Sequence, residues 1–261
     1  MLNILFIGDI VGKPGRNALS RTLSGLVEEH SIHLCVGNAE NAAGGFGLTP
    51  QVASDLFDLG IHVLTSGNHI FDKREIIDHL AANSRILRPA NYPAETPGKG
   101  SCLFETKDGI AVGVLNLMGR VFMDSIDCPF KRADEEIERL REKTNLIFVD
   151  MHAEVTSEKV AMGRYLDGRV SAVVGSHTHV QTADEEVLPN GTAYLTDAGM
   201  TGPSDSVIGI KTDGAISRFR TRLPKRLETA AGLAQINGAV VGIDRQTGKA
   251  KGIRRIQIRS L

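Results

Sequence analysis

The sequence predicts an α/β protein with parallel strands, and three observations support this fold class. Short apolar runs rich in Val, Ile and Leu are bounded by Gly, Asn or Asp, as is typical of buried strands. Helical patterns lie between the early runs, and such alternation indicates a layered α/β structure. Polar residues follow several of the runs directly. The chain has 261 residues, so we expect residues 1–261 to form a single domain with a sizeable core.

The predicted strands are short and recur along the whole chain. They cover residues 2–8, 34–37, 61–65, 110–117, 146–151, 170–175, 193–196 and 239–243. The C-terminal third is the most strand-rich part, which favours a second, partly antiparallel sheet there. Residues 218–233 give the least clear pattern.

Four segments have the spacing of helices. The first covers residues 14–29, with Pro14 in the first turn and apolar positions on one face, among them Leu19 and Leu23. The second covers residues 49–59 and opens with Thr49 and Pro50, a cap followed by a first-turn proline. The other two cover residues 72–82 and 132–143.

Charge and cysteine usage restrict the class of protein. The net charge of −1 gives no general attraction to nucleic acid or to an anionic membrane. Two basic stretches, residues 218–226 and 249–259, are interpreted as solvated faces. The three cysteines form no CxxC pair, so neither a disulfide framework nor a zinc ribbon is expected. The first apolar run is too short for a signal peptide and no run is long enough to span a membrane, so we expect a cytoplasmic protein.

The residues that follow the predicted strands carry the chemistry. They are Asp9, Glu40, Asn41, Asn68, His69, His152, His177 and His179. Because the carboxyl ends of strands form the binding crevice of open α/β sheets, we expect these side chains to converge.

Each of these signals is weak when taken alone. A lone Asp after a strand is more often a helix cap, and an Asn-His pair often reflects turn chemistry. His177 and His179 are two apart, so extended backbone would point both imidazoles the same way. Apart from His69, the coincidence of three histidines, two carboxylates and two asparagines at strand exits favours metal binding. The remaining histidines do not follow strands and are expected to be structural: His30, His33, His62 and His79.

The ligand types indicate which metals fit. Imidazole, carboxylate and carboxamide donors without Cys suit Mn, Fe or Zn. Seven donors exceed one tetrahedral shell and fit two ions that share a bridging carboxylate. Two such ions clamp both sides of a phosphoryl displacement. The Gly-rich loop at residues 44–47 could bring its amides to a phosphate, although a plain flexible turn explains it equally well.

These residues resemble a known family. The chain resembles the calcineurin-like metallophosphoesterases and, within them, the bacterial YmdB-like group of 2′,3′-cyclic-nucleotide 2′-phosphodiesterases. The matching segments are residues 3–12, 38–41, 65–69, 150–154, 175–179 and 196–202. Two departures from the superfamily pattern are typical of this group: Val11 replaces a His, and Glu40 replaces the bridging Asp with Asn41 beside it.

The resemblance implies a fold, a ligand assignment and an acid. The fold is a four-layer α/β/β/α sandwich of two facing mixed sheets with outer helices. Asp9, Asn41 and His179 would hold one metal, Asn68, His152 and His177 the other, and Glu40 would bridge them. His69 would act as general acid. The cofactors would be two divalent or trivalent metal ions, with Fe or Mn ahead of Zn or Mg.

The resemblance also implies a reaction. A hydroxide that bridges the metals would attack phosphorus, and the 2′,3′-cyclic nucleotide would open to the 3′-nucleotide. One alternative is a phosphodiesterase or phosphomonoesterase with another substrate, and another is a regulatory metal-binding protein that acts through a partner. An RNA-related partner and a homo-oligomer are secondary expectations.

Overall fold

The structure is a computed structural model, and it describes residues 1–259. Within those residues the strands are β1 (Leu2–Ile7), β2 (Asp9–Ile10), β3 (Leu34–Asn38), β4 (Val63–Thr65), β5 (Ser101–Glu105), β6 (Ala111–Met118), β7 (Ile147–His152), β8 (Ala172–Ser176), β9 (Glu186–Val187), β10 (Ala193–Leu195), β11 (Met200–Pro203), β12 (Ala234–Ile243) and β13 (Ala250–Ile258). The helices in the same range are α1 (Gly12–Glu29), α2 (Pro50–Asp58), α3 (Ile76–Ala82), α4 (Pro129–Arg141), α5 (Thr156–Tyr165) and α6 (Thr212–Thr221).

The strands form two mixed sheets. The first has the order β2-β11-β12-β1-β3-β4, with β13 paired to β12, and the second has the order β5-β6-β7-β8-β10-β9. Strands β1, β3 and β4 are parallel, as are β6, β7, β8 and β10. Strand β12 runs antiparallel to β1, which ties the C-terminal region to the N-terminal strand.

The two sheets face each other across a shared apolar core. Phe6 of β1 and Phe148 of β7 lie in that core, with ring centroids 5.2 Å apart. Side chains alternate along a strand, so Leu5 of β1 points instead to the outer core with helices α1, α2 and α3. Val149 of β7 likewise points to a third core beside α4 and α5. The order of layers is helices, sheet, sheet and helices, as the resemblance implies.

The eight predicted strands and the four predicted helices are present, and most of their ends shift by only one to three residues. The largest difference among the strands is at β12, which begins at Ala234 rather than at residue 239. The Thr49 hydroxyl accepts a hydrogen bond from the Val52 amide at 3.2 Å, which confirms the predicted cap. Helix α3 begins at Ile76 rather than at residue 72. The residues before it form a turn in which Asp72 contacts His69.

One expectation about the later chain is wrong, and one helix was not expected. The C-terminal strands β11, β12 and β13 extend the first sheet, whereas the second sheet is built from residues 101–195. Helix α5 was not predicted, because its buried face carries Lys159 and Gly163 beside Met162 and therefore lacks an apolar repeat. The basic stretch at residues 249–259 includes β13, which among the described strands pairs only with β12. Its exposed lysines and arginines suit such an edge position.

The topology positions the polar residues noted in the sequence. Strands β1, β3 and β4 of the first sheet and β7 and β8 of the second end at the same rim of the sandwich. In the part of the chain that the structure describes, no helix has both the length and the apolar character needed to cross a bilayer.

Candidate metal centre

Three ligating side chains meet at this rim. Glu40 Oε1 lies 3.1 Å from His152 Nε2, and His177 Nδ1 lies 3.0 Å from the same nitrogen. One donor atom from each of the three residues lies within 4.8 Å of the others. Asn68 adds its Oδ1 at 3.2 Å from His152 Nε2. Four of the sequence-predicted ligands therefore surround one small volume.

The other three predicted ligands lie beside this group. His179 Nε2 is 3.8 Å from Asp9 Oδ1 and 3.3 Å from the Asn41 amide nitrogen. That amide is also 3.2 Å from Glu40 Oε1. Glu40 consequently lies between the two groups.

The donor set fits bound cations. Asp9 and Glu40 are fully buried carboxylates. Asp9 Oδ2 accepts a hydrogen bond from the His177 amide, but Asp9 Oδ1 has no donor among the described residues. A buried carboxylate oxygen without a donor is costly, and a metal ion supplies the missing partner.

The electrostatics of the cluster favour positive charge. Burial opposes ionisation of Glu40, but His152 and the His69 amide lower the pKa of Glu40 to about 2. Burial also disfavours a charged His152, yet Glu40 and Asp9 outweigh it and raise the pKa of His152 to about 9. Burial and the nearby His152 lower the pKa of His177 to about 3, which leaves its imidazole neutral and able to ligate.

Neighbouring groups orient two of the imidazoles. His152 donates its Nδ1 hydrogen to Ser176 Oγ at 2.9 Å, and Ser176 donates to Asp150 Oδ1 at 2.6 Å. His179 donates its Nδ1 hydrogen to the Ile208 carbonyl at 2.8 Å. Both hydrogen bonds leave Nε2 free to face the cluster, as in many metal sites. Asp150 was not selected from the sequence, although a carboxylate inside an apolar run was a signal for it.

The backbone that carries His177 and His179 is not extended. Strand β8 ends at Ser176, and the φ angles of the two histidines are +100° and +66°. The expectation that extended backbone aligns these imidazoles is therefore wrong, although they do approach the same site from one loop. Positive φ at residues other than Gly is uncommon and is typical of functional positions.

A buried ion pair anchors this loop. Asp197 accepts hydrogen bonds from the Thr178 amide at 3.1 Å and from its hydroxyl at 2.8 Å. Lys159 Nζ contacts the same carboxylate at 2.6 Å, and both charged side chains are almost fully buried. This pair was not predicted from the sequence. Lys159 and Asp197 are 38 positions apart, and no local pattern indicates their contact before the fold is known.

Gly67 makes room for the ligands. A Cβ atom at this position would lie 2.1 Å from His152 Nε2 and 2.6 Å from Glu40 Oε2. Any side chain at this position would displace both His152 and Glu40. A glycine is therefore required, because these two side chains approach the backbone so closely.

The cluster opens into a cavity of about 300 Å³. His69 lines it, with its backbone amide donating to Glu40 Oε2 at 2.9 Å and its Nδ1 lying 2.9 Å from Asp72. Phe46, from the glycine-rich loop, packs against the His69 ring with centroids 5.1 Å apart. Glu154, which sequence reasoning did not select, contacts His177 Nε2 at 3.0 Å. Within residues 1–259, the Nε2 atom of His69 makes no hydrogen bond, and it lies beside the candidate ligands.

Comparisons with known proteins agree on one family. A family model described as YmdB-like protein matches residues 5–256. The chain is 48% identical over 257 residues to the 2′,3′-cyclic-nucleotide 2′-phosphodiesterase of Bacillus subtilis, covering 98% of this chain and 97% of that protein. A novel phosphatase from Mycoplasma pneumoniae has a similar crystal structure, with a TM-score of 0.93, 33% identity and coverage of 99% and 94%.

A more distant structure shares the fold alone. The NAD nucleotidase of Haemophilus influenzae gives a TM-score of 0.62 at 16% identity, covering 99% of this chain and 56% of that one.

Proposed function

Because the chain belongs to the YmdB-like family, we propose that it hydrolyses 2′,3′-cyclic nucleotides to 3′-nucleotides, the substrate class in the name of the Bacillus subtilis relative. The observation that carries the proposal is the cluster of Glu40, His152 and His177, of which Glu40 and His177 line the cavity. A buried acid flanked by two imidazoles is suited to metal binding rather than to packing.

In this proposal the seven side chains would hold two metal ions. Asp9, Asn41 and His179 would hold one, Asn68, His152 and His177 would hold the other, and Glu40 would be shared between them. The bound ions would supply the positive charge that activates water and neutralises the phosphoryl oxygens. The oxygen and nitrogen donor set without Cys suits Fe or Mn. Elemental analysis of anaerobically purified protein tests that choice.

His69 is the proposed general acid. Asp72 accepts the Nδ1 hydrogen, which leaves Nε2 to carry a second proton toward the cavity. The oxygen of a hydroxide ion adds to phosphorus, the bond from phosphorus to the 2′ oxygen breaks, and the proton from Nε2 goes to that oxygen, which leaves His69 neutral. The product keeps the phosphate on the 3′ oxygen.

The His69→Ala variant tests this role. We expect it to retain metal, because His69 is not a proposed ligand, and to lose about 10²–10⁴-fold in turnover of 2′,3′-cyclic AMP, the usual effect of removing a general acid. The matched control is His79→Ala on α3, which lies outside the cavity lining. Normal turnover in His69→Ala would remove His69 from the mechanism.

A substrate screen tests the reaction class. The purified protein is assayed against 2′,3′-cyclic nucleotides, 3′,5′-cyclic nucleotides and aryl phosphates. Hydrolysis of aryl phosphates without hydrolysis of the 2′,3′-cyclic compounds would overturn the proposal and favour a phosphoesterase with another substrate.

A further inference from the structure

A second cavity adjoins the candidate metal centre. It has a volume of about 470 Å³ and shares Ile208, Ile210 and Leu227 with the lining of the first. We refer to it as the outer cavity. A substrate that extends beyond the metal centre past these three apolar side chains would enter it.

The outer cavity has a cationic and aromatic side. Helix α6 contributes Arg218 and Phe219, and Arg222 follows at its C-cap. Phe219 is 75% exposed, which is unusual for so large an apolar side chain. Among residues 1–259, the ion pairs with nitrogen–oxygen distances up to 4.0 Å involve neither Arg218 nor Arg222. Both guanidinium groups are therefore available to an anion.

The surrounding segment is strongly basic although the chain as a whole is not. Residues 211–228 contain six Lys or Arg against two Asp or Glu, whereas the whole chain carries a net charge of −1. A solvent-exposed surface accounts for the charges. It does not account for the exposed ring of Phe219, which lies with Arg218 and Arg222 at the wall of a cavity. That combination is what single-stranded nucleic acid requires, because phosphates pair with arginine and bases stack on aromatic rings.

We propose that the outer cavity binds the nucleotide on the 5′ side of the cyclic phosphate, so that the substrate is single-stranded RNA ending in a 2′,3′-cyclic phosphate. This inference rests on the proposed function. A free 2′,3′-cyclic mononucleotide has a 5′ hydroxyl and no second phosphate. The terminal residue of an RNA has a 5′ phosphodiester instead, which Arg218 and Arg222 neutralise, and the base before it stacks on Phe219.

The test compares two substrates that share the same reacting group. One is 2′,3′-cyclic AMP and the other is the dinucleotide of adenosine that ends in a 2′,3′-cyclic phosphate. We expect kcat/KM to be about tenfold higher for the dinucleotide, since a hydrogen bond to a charged group contributes about this factor at the low end of its usual range. In Arg218→Ala/Arg222→Ala the ratio of the two kcat/KM values should fall to about one.

A charge-matched control separates direct binding from general attraction. Arg220→Ala/Lys225→Ala removes two cations from the same segment, but neither residue lines the outer cavity. We expect this control to keep the wild-type ratio. An equal fall in both double variants would show long-range attraction only, and a wild-type ratio near one would also overturn the proposal.

A binding measurement separates this inference from the proposed function. A 5′-labelled RNA trinucleotide ending in a 3′-phosphate is titrated into metal-free protein, and fluorescence anisotropy is followed at several salt concentrations. We expect Arg218→Ala/Arg222→Ala to reduce the slope of log affinity against log salt by about 0.7 for each phosphate that the variant no longer neutralises. If the salt slope falls in this way but the protein hydrolyses neither substrate, the outer cavity remains an RNA-binding site and the proposed reaction is rejected. If the wild-type protein hydrolyses 2′,3′-cyclic AMP but Arg218→Ala/Arg222→Ala binds the trinucleotide as the wild type does, the proposed reaction stands and the RNA-binding role of the outer cavity is rejected.

Discussion

The buried pair of Lys159 and Asp197 predicts a linked effect on stability and metal affinity. The perturbation is Lys159→Met, which removes the charge and keeps much of the volume. Lys159 Nζ lies 2.6 Å from Asp197 Oδ2, with side-chain exposures of 1% and 0%. The variant therefore leaves a buried carboxylate without its counter-charge.

The loss of unfolding free energy in Lys159→Met depends on the hydrogen-bond donors that remain around the Asp197 carboxylate. Breaking a buried pair by removing one partner costs about 3–5 kcal/mol. Asp197 keeps donors from Thr178, and the Gly199 amide donates at 2.8 Å, so we expect about 3 kcal/mol, the low end. For a chain of this size that lowers Tm by about 6–12 °C. Because Asp197 also holds Thr178 between His177 and His179, metal affinity should fall about 10–100-fold, as is usual for groups that support metal ligands.

The assay is urea unfolding of metal-free protein together with metal titration. Arg164→Met is the matched control, because Arg164 lies on the same helix and pairs with Glu186 at exposures of 53% and 46%. Such surface pairs contribute about 0–1 kcal/mol. An unfolding free energy of Lys159→Met within about 1 kcal/mol of wild type, the range of a surface pair, would refute the stability argument. Unchanged metal affinity in Lys159→Met would refute the inference that Asp197 supports His177 and His179 by holding Thr178.

Two further predictions concern close packing. Gly67→Ala should remove most bound metal, measured by elemental analysis, because its Cβ would lie 2.1 Å from His152 Nε2; full occupancy would show that the loop can move aside. Burial raises the pKa of the Cys35 thiol to about 12, so native protein at about pH 8 should resist alkylation by iodoacetamide at this residue, whereas urea-unfolded protein should react. Labelling of native Cys35 at the unfolded rate, read by mass spectrometry, would contradict that burial.

The part of the site that the sequence predicts is the part set by strand topology. Asp9, Glu40 and His152 follow or end apolar runs, and the carboxyl ends of parallel strands meet at one rim whatever the details of packing. Asp150 and Lys159 belong to the same site, but their roles could not be predicted. A carboxylate inside a strand marks Asp150 as unusual without showing what it contacts, and Lys159 lies on the buried face of a helix. Their partners are known only once the two sheets face each other.

The helices also differ in how well the sequence predicts them. Helices α1 and α2 have apolar repeats and end signals that are local, so the sequence predicts them within a few residues. Helix α6 buries only Ala215 and turns Phe219 outward, so its pattern does not point to a core. A segment that does not pack inward gives no periodic signal, and it is also the segment with surface left for a ligand.

The candidate metal centre lowers the stability of the metal-free chain, and this cost argues for function. His177 and His179 hold positive φ angles, each of which costs about 1–3 kcal/mol at a residue other than glycine. Burial raises the pKa of Asp9, and its Oδ1 lacks a donor among residues 1–259. An apolar residue in place of Asp9 would avoid the cost of the buried carboxylate. A bound cation relieves the charge but not the backbone strain, so the Lys159–Asp197 pair is needed to keep the loop in place.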